Sequence, residues 1–521
     1  MRELESKFLL CPGSRPGRTR RRLLRDLVWA GFRIHPKGER LVHDVYFDTA
    51  DARLERAGWS LRARHLSMAL ELTCKQLTSS SSGYFERLEI EQRTIHETPS
   101  LESLEEGPVL DLLRRYLPGN AELLPTFSQN NRRRRWLITH PDHPRATIEL
   151  VMDRVTVDGE PPLTYTEFEG ELKQGPAAFL SQFADVLQAR PALIRSRSSK
   201  FHRGRFHVSP TLNICDGKRA LMTLDSPAHR LAASYLGEQL KALTAYEPFA
   251  YEGLHLEGVH QMRIATRRMR AALRVFAGVL PGTGAPALAR EAGWLCDVLG
   301  AVRDLDVHLM RIRDYRDVLH SGHHAALASY EARLRDDLRR ARRCLASAMD
   351  SRRYAHFLSS FRTLQAEMEA YGSPDGPSIR TFAGDWVPDR LARVRRAGRK
   401  ITPGSPPERY HRLRIRIKKL RYALEILQGP YGRAISGAAG TLKKLQGRLG
   451  DHQDASLAQE ELAHYRDRYA SGVRQQKTFD RLIRLEADRA AALRRRFPQD
   501  WRKFDRQAKA LAQIMGPGLN G

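Results

Sequence analysis

The chain has 521 residues, 41% of them apolar, and carries 88 lysines and arginines against 60 aspartates and glutamates, a formal charge of +28. That length exceeds one ordinary core and predicts two or three domains, while the charge points to a polyanionic partner: nucleic acid, polyphosphate or an anionic surface. No apolar run approaches a membrane span, and a charged segment stands where a secretion signal would need its apolar core, so a soluble cytoplasmic protein is expected. The five cysteines (Cys11, Cys74, Cys215, Cys296, Cys344) are scattered without a C-x-x-C pair, which argues for reduced thiols and against a disulfide framework or zinc site.

The first predicted element is a strand over Glu3-Leu4-Glu5-Ser6-Lys7, closed by Phe8 to Leu10. Side chains alternate along a strand, so Glu3, Glu5 and Lys7 share one face at about 6.7 Å spacing. Burying that face is costly unless a cation or an anionic ligand satisfies it; the plainer reading is a solvated charged face. A turn-rich stretch, Gly13 to Gly17, leads to an Arg-rich amphipathic helix over Arg18 to Ala30.

From residue 40 short strand-like segments follow, with turns at Asp48 to Asp51 and Ser79 to Gly83. Arg62 and Arg64 share a face in Gly58–Arg64; Glu71, Thr73 and Lys75 share one in Leu70–Lys75; and Arg87–Arg93 sets a charged face against an apolar one. Next come the four consecutive arginines Arg132–Arg135, then Ile148–Asp153, then a second acidic face, Glu167, Glu169 and Glu171. Within the arginine run either alternate pair could face inward, and the position of Trp136 favours Arg133 and Arg135. An ordinary sandwich would turn these charged faces to solvent. Two acidic strands among several basic ones also fit a closed sheet whose charged faces point inward, with oxygens for a hard divalent cation and guanidiniums for a phosphate chain.

The opening E-x-E-x-K resembles the signature of the CYTH domain, the triphosphate tunnel metalloenzyme superfamily. Tyr46-Phe47-Asp48-Thr49, G-x-x-L-R-x-R at Gly58–Arg64, T-x-K at Thr73–Lys75, E-x-E-x-E-L-K-x-G at Glu167–Gly175 and Ser199-Lys200-Phe201 follow in the same order. The resemblance, over residues 1–205, implies an eight-stranded antiparallel tunnel that hydrolyses triphosphate compounds with Mg²⁺ or Mn²⁺. It implies metal ligands among Glu3, Glu5, Asp153, Glu167, Glu169 and Glu171, with the last three left unresolved. Lys7, Arg62, Arg64, Lys75, Arg87, Arg133, Arg135 and Lys200 are implied to grip phosphate, and Lys7, Glu169 and Glu171 to act in catalysis.

Residues 206–225, with Pro210 and Gly217, read as a linker, and the remainder as helices broken at Pro281-Gly282, Gly372 to Gly376 and Thr402 to Pro407. His260–Leu273 aligns with His411–Leu424, and Leu299-Gly300…Asp304 with Leu449-Gly450…Asp454, at an offset of about 150 residues that marks a duplicated unit. On helices, His260, Arg263, Arg267, Arg270 and Arg274 form one basic stripe and His411, Arg414, Lys418 and Arg421 another, with Met262, Met269 and Leu273 on the core side. One such stripe is ordinarily a solvated face; two in the same phase predict a bound anion. The pattern resembles the CHAD domain (conserved histidine α-helical domain), which implies two pseudo-symmetric four-helix bundles binding inorganic polyphosphate. Arginines beside the two histidines argue against a metal there, and His320, His323 and His324 read as a solvated turn.

The expectation is an α+β protein: a tunnel domain at 1–205, a linker at 206–225 and an all-α domain at 226–510 whose repeats cover 226–375 and 376–510. The expected function is metal-dependent hydrolysis of inorganic triphosphate with polyphosphate bound by the helical half, in the cytoplasm and at polyphosphate granules, with no nucleic acid or membrane partner. The alternatives are a non-catalytic polyanion scaffold, or a tunnel acting on thiamine triphosphate or nucleoside triphosphates. The stripes lack the interleaved aromatics that stack RNA bases.

Overall fold

The structure, a computed structural model, describes residues 2–65, 70–78, 83–96, 98–212, 218–280, 282, 284–371 and 376–515. The chain falls into two units, Met1–Asn213 with Ala245–Val259, and Ile214–Thr244 with His260–Gly521.

In the first unit the strands are β1 (Arg2–Leu10), β2 (Arg33–Asp48), β3 (Trp59–His65), β4 (Leu70–Gln76), β5 (Tyr84–Thr94), β6 (Leu124–His140), β7 (His143–Val157), β8 (Leu163–Gln174) and the short β9 (Leu193–Arg195). Their order, β5-β4-β3-β2-β6-β7-β8-β1-β9, closes because β5 also pairs with β1, Glu3 lying opposite Arg87 and Glu5 opposite Phe85. β1 to β8 therefore form an antiparallel ring, the predicted tunnel, and β9 adds to the outer end of β1.

The alternation read from the sequence decides which way each face points. The outer face of β1, β6, β7 and β8 buries Phe8, Trp136, Ile148, Leu150 and Phe168 against α1 (Pro16–Trp29) and α4 (Ala177–Gln188). The outer face of β3 and β4 buries Leu61, Leu70, Leu72 and Cys74 with Leu54 of α2 (Arg53–Arg56) and against α3 (Pro108–Tyr116). With the apolar faces committed to helices, the charged faces are left to the lumen.

One end of the lumen is filled by Leu9, Tyr46, Phe127, Val155, Tyr165 and Phe201, the last from α5 (Lys200–Val208). α5 lies so close to β6 that a methyl on Gly204 would come 2.1 Å from the Phe127 ring. Gly204→Ala is expected to cost about 1–3 kcal/mol and to bring forward the unfolding of this unit in scanning calorimetry; an unchanged profile would mean that Phe127 swings aside.

The helices continue with α6 (Ala228–Glu252), α7 (Leu256–Val275), α8 (Ala285–Val318), α9 (His324–Met349), α10 (Arg352–Ala370), α11 (Ile379–Gly398), α12 (Pro407–Tyr431), α13 (Arg433–Tyr469) and α14 (Val473–Ile514). The two stripes lie on α7 and α12, and the two Leu-Gly…Asp pieces on α8 and α13. Met262, Met269 and Leu273 are buried, as their phase requires. Among the described residues no helix is long and apolar enough to cross a membrane. The segment read as a linker begins inside α5, which runs to Val208, and the last turns of α6 belong to the first unit. The expected breaks at Ser79 to Gly83, Pro281-Gly282 and Gly372 to Gly376 lie partly outside the described residues, as do Gly217 and Cys215. No disulfide joins Cys11, Cys74, Cys296 or Cys344.

Candidate active site and anion site

The lumen holds a cavity of about 700 Å³ whose wall includes Glu3, Lys7, Arg62, Arg64, Lys75, Arg87, Arg133, Glu169, Glu171 and Lys200. β1 and β8 pair with Lys7 opposite Glu169 and Glu5 opposite Glu171. That register brings carboxylate oxygens of Glu3, Glu5 and Glu169 within 4.8 Å of one another. Lys7 Nζ sits 2.9 Å from both Glu5 Oε1 and Glu169 Oε1, and Lys75 Nζ lies 3.2 Å from Glu3. Arg87 donates to Glu5 Oε1, while Glu5 Oε2 is buried with no hydrogen-bond partner.

Two buried carboxylates as close as Glu5 and Glu169 do not both ionise freely. Burial, helped by the Glu169 charge and opposed by Lys7, pushes the Glu5 carboxyl up to about 8, whereas Lys200 and Lys7 overcome burial and hold Glu169 well below the carboxylate range. The pair as a unit therefore resists carrying both charges, with Glu5 the group pushed up. A divalent cation must expel the proton that the pair retains. Affinity for Mg²⁺ is therefore expected to climb as pH rises toward about 8 and to level off above it. Calorimetry at pH 7 in buffers of different protonation heat should show close to one proton released per ion; affinity flat with pH would refute it.

The remaining carboxylates of the predicted metal set sit differently. Glu167 is held by Arg203 and by Lys200 at 2.7 Å, and Asp153 by Arg133 at 2.7 Å and Lys200 at 3.0 Å. Glu171 lines the cavity and pairs with Lys173 at 2.5 Å; burial raises it, Lys173 opposing. Among the described residues these three join no cluster with Glu3, Glu5 and Glu169. Arg133 points inward, and Arg132 and Arg134 reach outward to Glu39, as Trp136 on the helix-covered face requires. Arg135 shares the Arg133 face but pairs with Glu149 at 3.5 Å and is absent from the cavity wall.

Several lumen residues went unread. Asp44 accepts from Arg64 at 2.7 Å and from Asn131 at 3.0 Å; burial would raise it, but Arg62 and Arg64 hold it far below its ordinary value. Its signal was the alternation of Asp44 and Tyr46 with Val45 and Phe47. Arg40 and Glu149 also line the cavity, joined by Glu71 and Glu89 from the charged faces read on β4 and β5. Arg203 is buried on a helix, where strand alternation carries no information.

In the helical unit the duplicated pieces meet physically. A methyl on Gly300 would lie 3.6 Å from the Arg263 guanidinium carbon, and one on Gly450 would lie 3.8 Å from Arg414 Nε, so each stripe arginine packs beside the glycine of its own Leu-Gly…Asp piece. Arg263 then donates to Asp304 at 2.7 Å, and Asp454 draws Arg414 electrostatically. Burial, then Arg267, Arg414 and Arg263, bring Lys418 down to about 7, so the charges of the two stripes lie within electrostatic reach of one another. Arg270 lies over Gly293, and Arg274 is depressed by burial and by Arg270. His411 contacts Gln453 at 2.9 Å, while Arg421 is turned inward to Glu425 and, at 2.7 Å, to Gln446. His260, at the head of the first stripe, is half-buried. Of the three histidines expected in a solvated turn, only His320 is exposed, capping Gly322; His323 is part-buried on Thr478 at 2.8 Å, and His324 opens α9 with its ring on the carbonyls of Arg316 and Leu319.

Fold and site together define a charged, closed β tunnel carried on one chain with a basic helical domain. Residues 1–204 match the CYTH domain family and residues 234–463 the CHAD domain family. The chain is a CYTH–CHAD two-domain protein. It is 27% identical over 300 residues to the uncharacterized protein Rv2226 of Mycobacterium tuberculosis, with 54% of each chain covered, so it spans about half the length of the curated relatives it matches. Among solved structures it is similar to the CHAD domain of Ricinus communis (25% identity, TM-score 0.47, 54% of this chain and 93% of that one). It is also similar to PptA from Streptomyces chartreusis (19%, TM-score 0.44, 53% and 100%). A Hippeastrum protein assigned as an adenylyl cyclase, for which a dominant triphosphatase activity is described, matches at 19% identity and TM-score 0.29, with 40% of this chain and 97% of that one covered.

Proposed function

We propose that the CYTH domain hydrolyses inorganic triphosphate with Mg²⁺ or Mn²⁺, and that the CHAD domain binds inorganic polyphosphate. One observation carries the first reading: Glu3 and Glu169, clustered with the fully buried Glu5 behind them, line a cavity together with Lys7, Arg62, Arg64, Lys75, Arg87, Arg133 and Lys200. The oxygen-only donor set and the unpartnered Glu5 Oε2 fit a hard divalent cation, held by Glu3, Glu5 and Glu169. Such an ion supplies neutralisation of phosphate charge and activation of water.

The side chains do the rest by positioning. Lys7, released from between Glu5 and Glu169, donates to a phosphoryl oxygen. Arg62, Arg64, Arg133 and Lys200 hold the remaining oxygens in a fixed array. Glu171, raised by burial, accepts the proton of the attacking water, and Glu169, kept anionic by Lys200 and Lys7, serves the metal. Cleavage of the terminal phosphoanhydride gives orthophosphate and pyrophosphate. Tyr46 and Phe201 line the cavity, but Tyr46 stacks on Phe127 at 4.5 Å and Phe201 packs against both rings. With those faces occupied, the wall favours a bare triphosphate over a nucleotide.

Phosphate release from inorganic triphosphate, with each metal and with ATP and thiamine triphosphate as competitors, tests this. Metal-dependent turnover fastest on inorganic triphosphate is expected; no turnover on any of the three would reduce the protein to a polyanion scaffold. The facing stripes of α7 and α12 support the second reading, and polyphosphate binding would place the protein at cytoplasmic polyphosphate granules. Polyphosphate is expected to outcompete RNA of equal charge, and the reverse order would overturn it.

A further inference from the structure

A buried carboxylate that plays no part in the proposed chemistry closes the filled end of the tunnel. Glu252 ends α6, beyond residues 1–204, yet packs in the first unit with its side chain 1% exposed. It accepts from the backbone N–H of Arg197 at 2.9 Å and of Ser198 at 2.8 Å, from the hydroxyls of Ser198 at 2.8 Å and Ser196 at 3.2 Å, and from Arg203 at 3.4 Å. Flanking residues pin the segment: Glu247 pairs with Arg197 at 2.6 Å, Phe249 stacks on Phe206 at 3.8 Å, and Leu254 packs with the aromatic plug.

The Ser196–Ser198 turn leads into Ser199, whose hydroxyl caps α5 by accepting from His202 N–H at 3.2 Å, and the next residue is Lys200. Arg203 reaches from Glu252 to Glu167; Lys200 bridges Glu167 at 2.7 Å and Glu169 at 2.8 Å; Lys7 bridges Glu169 and Glu5 at 2.9 Å each. Charges alternate in sign along this whole line from Glu252 to Glu5. Burial would depress Arg203, but Glu167, Tyr165 and Glu252 hold it above its ordinary value. In a buried row of this kind each ion's place is set by its neighbours on both sides, and loss of the end charge draws the next ion inward. Without Glu252, Arg203 keeps its bonds to Ser196 Oγ at 2.8 Å and the Ser198 carbonyl at 2.9 Å but loses one of its two carboxylates, so its charge leans on Glu167 and draws Glu167 away from Lys200.

We propose that Glu252 is a positioning residue for the tunnel: through the Ser196–Ser199 turn and Arg203 it sets the Lys200 ammonium between Glu167 and Glu169, so that a segment outside the CYTH stretch completes the phosphate-gripping floor. This rests on the triphosphate reading only for its kinetic consequence. The placement of Lys200 can be read without any activity.

In the full-length protein, Glu252→Gln removes the charge and keeps the shape. Labelling of Lys200 by an amine-reactive reagent, read by peptide mass, is expected to rise about fivefold or more while Lys7 labelling stays constant, because loosening a buried ion pair exposes the amine. KM for triphosphate is expected to rise about tenfold with kcat within about threefold, and Glu252→Asp to recover most of it. Should Glu252→Gln fold poorly, Ser198→Ala removes one bond to the carboxylate and keeps every charge; a smaller rise in Lys200 labelling is then expected. Unchanged Lys200 labelling in a variant of wild-type melting temperature overturns the proposal. Increased labelling in a protein whose wild type shows no turnover upholds the positioning and sinks only the triphosphate reading.

Discussion

Glu5→Ala in the full-length protein is expected to lower metal-dependent phosphate release from inorganic triphosphate by about 10²-fold or more, equivalent to about 2.7 kcal/mol of barrier. Glu5 is fully buried, belongs to the carboxylate cluster and presents an oxygen with no protein partner. Its loss removes a candidate metal ligand and leaves Lys7 and Arg87, both within contact of it, with one fewer anion between them. Leaving buried charges unpaired is itself destabilising by about 3–5 kcal/mol, so Glu5→Gln, which keeps the volume and an acceptor oxygen, is the companion variant. Both should lose turnover and Mg²⁺ binding by calorimetry, and only the alanine variant should lose much melting temperature. Retained turnover in a folded Glu5→Gln protein would remove Glu5 from the metal site.

The second large effect belongs to the helical unit. Replacing Arg263, Arg267, Arg414 and Lys418 together with alanine is expected to weaken polyphosphate binding by about 10²-fold or more and to flatten its salt dependence, since desolvated like charges facing one space are what a polyanion neutralises. The same variant should melt no lower without ligand, because the burial of charge and the mutual repulsion that together bring Lys418 down to about 7 are both relieved. Binding should also respond to pH through this amine. A bound polyanion raises the Lys418 pKa, so affinity is full below about 7, where the free amine is already charged, and declines as pH rises above it, where binding must take up a proton. Proton uptake per chain bound at pH 8, measured by calorimetry, checks the sign. Undiminished affinity in the quadruple variant would move the polyphosphate site elsewhere.

The local motifs carried the architecture far because period-2 alternation is a property of the strand itself. Glu3, Glu5 and Lys7 had to share a face whatever the fold, and the repeats of His260–Leu273 and Leu299–Asp304 needed only the chain to be compared with itself. The resemblances then supplied closure of the sheet, since inward-turned charge and an outward sandwich face produce the same alternation. The sequence could not choose among Glu167, Glu169 and Glu171, all on one face of β8. Tertiary structure shows which of them clusters with Glu3 and Glu5, namely Glu169, opposite Lys7, while Glu167 lies opposite Leu9 of the apolar plug and Glu171, opposite Glu5, pairs with Lys173. The same holds for Arg135, which shares its face with Arg133 but stands where Glu149 captures it.

What the chain determined alone was therefore the set of charged faces and the duplicated basic stripes, because these depend on spacing within single elements. What tertiary structure alone decided was which charges meet: the Glu3, Glu5 and Glu169 cluster, Asp44 under Arg64, Arg263 against Gly300, and Glu252 reaching Arg203 across 49 residues of sequence. Pair distances in a buried lumen are fixed by register and closure. At these separations in a low dielectric they set the protonation and partners of every group.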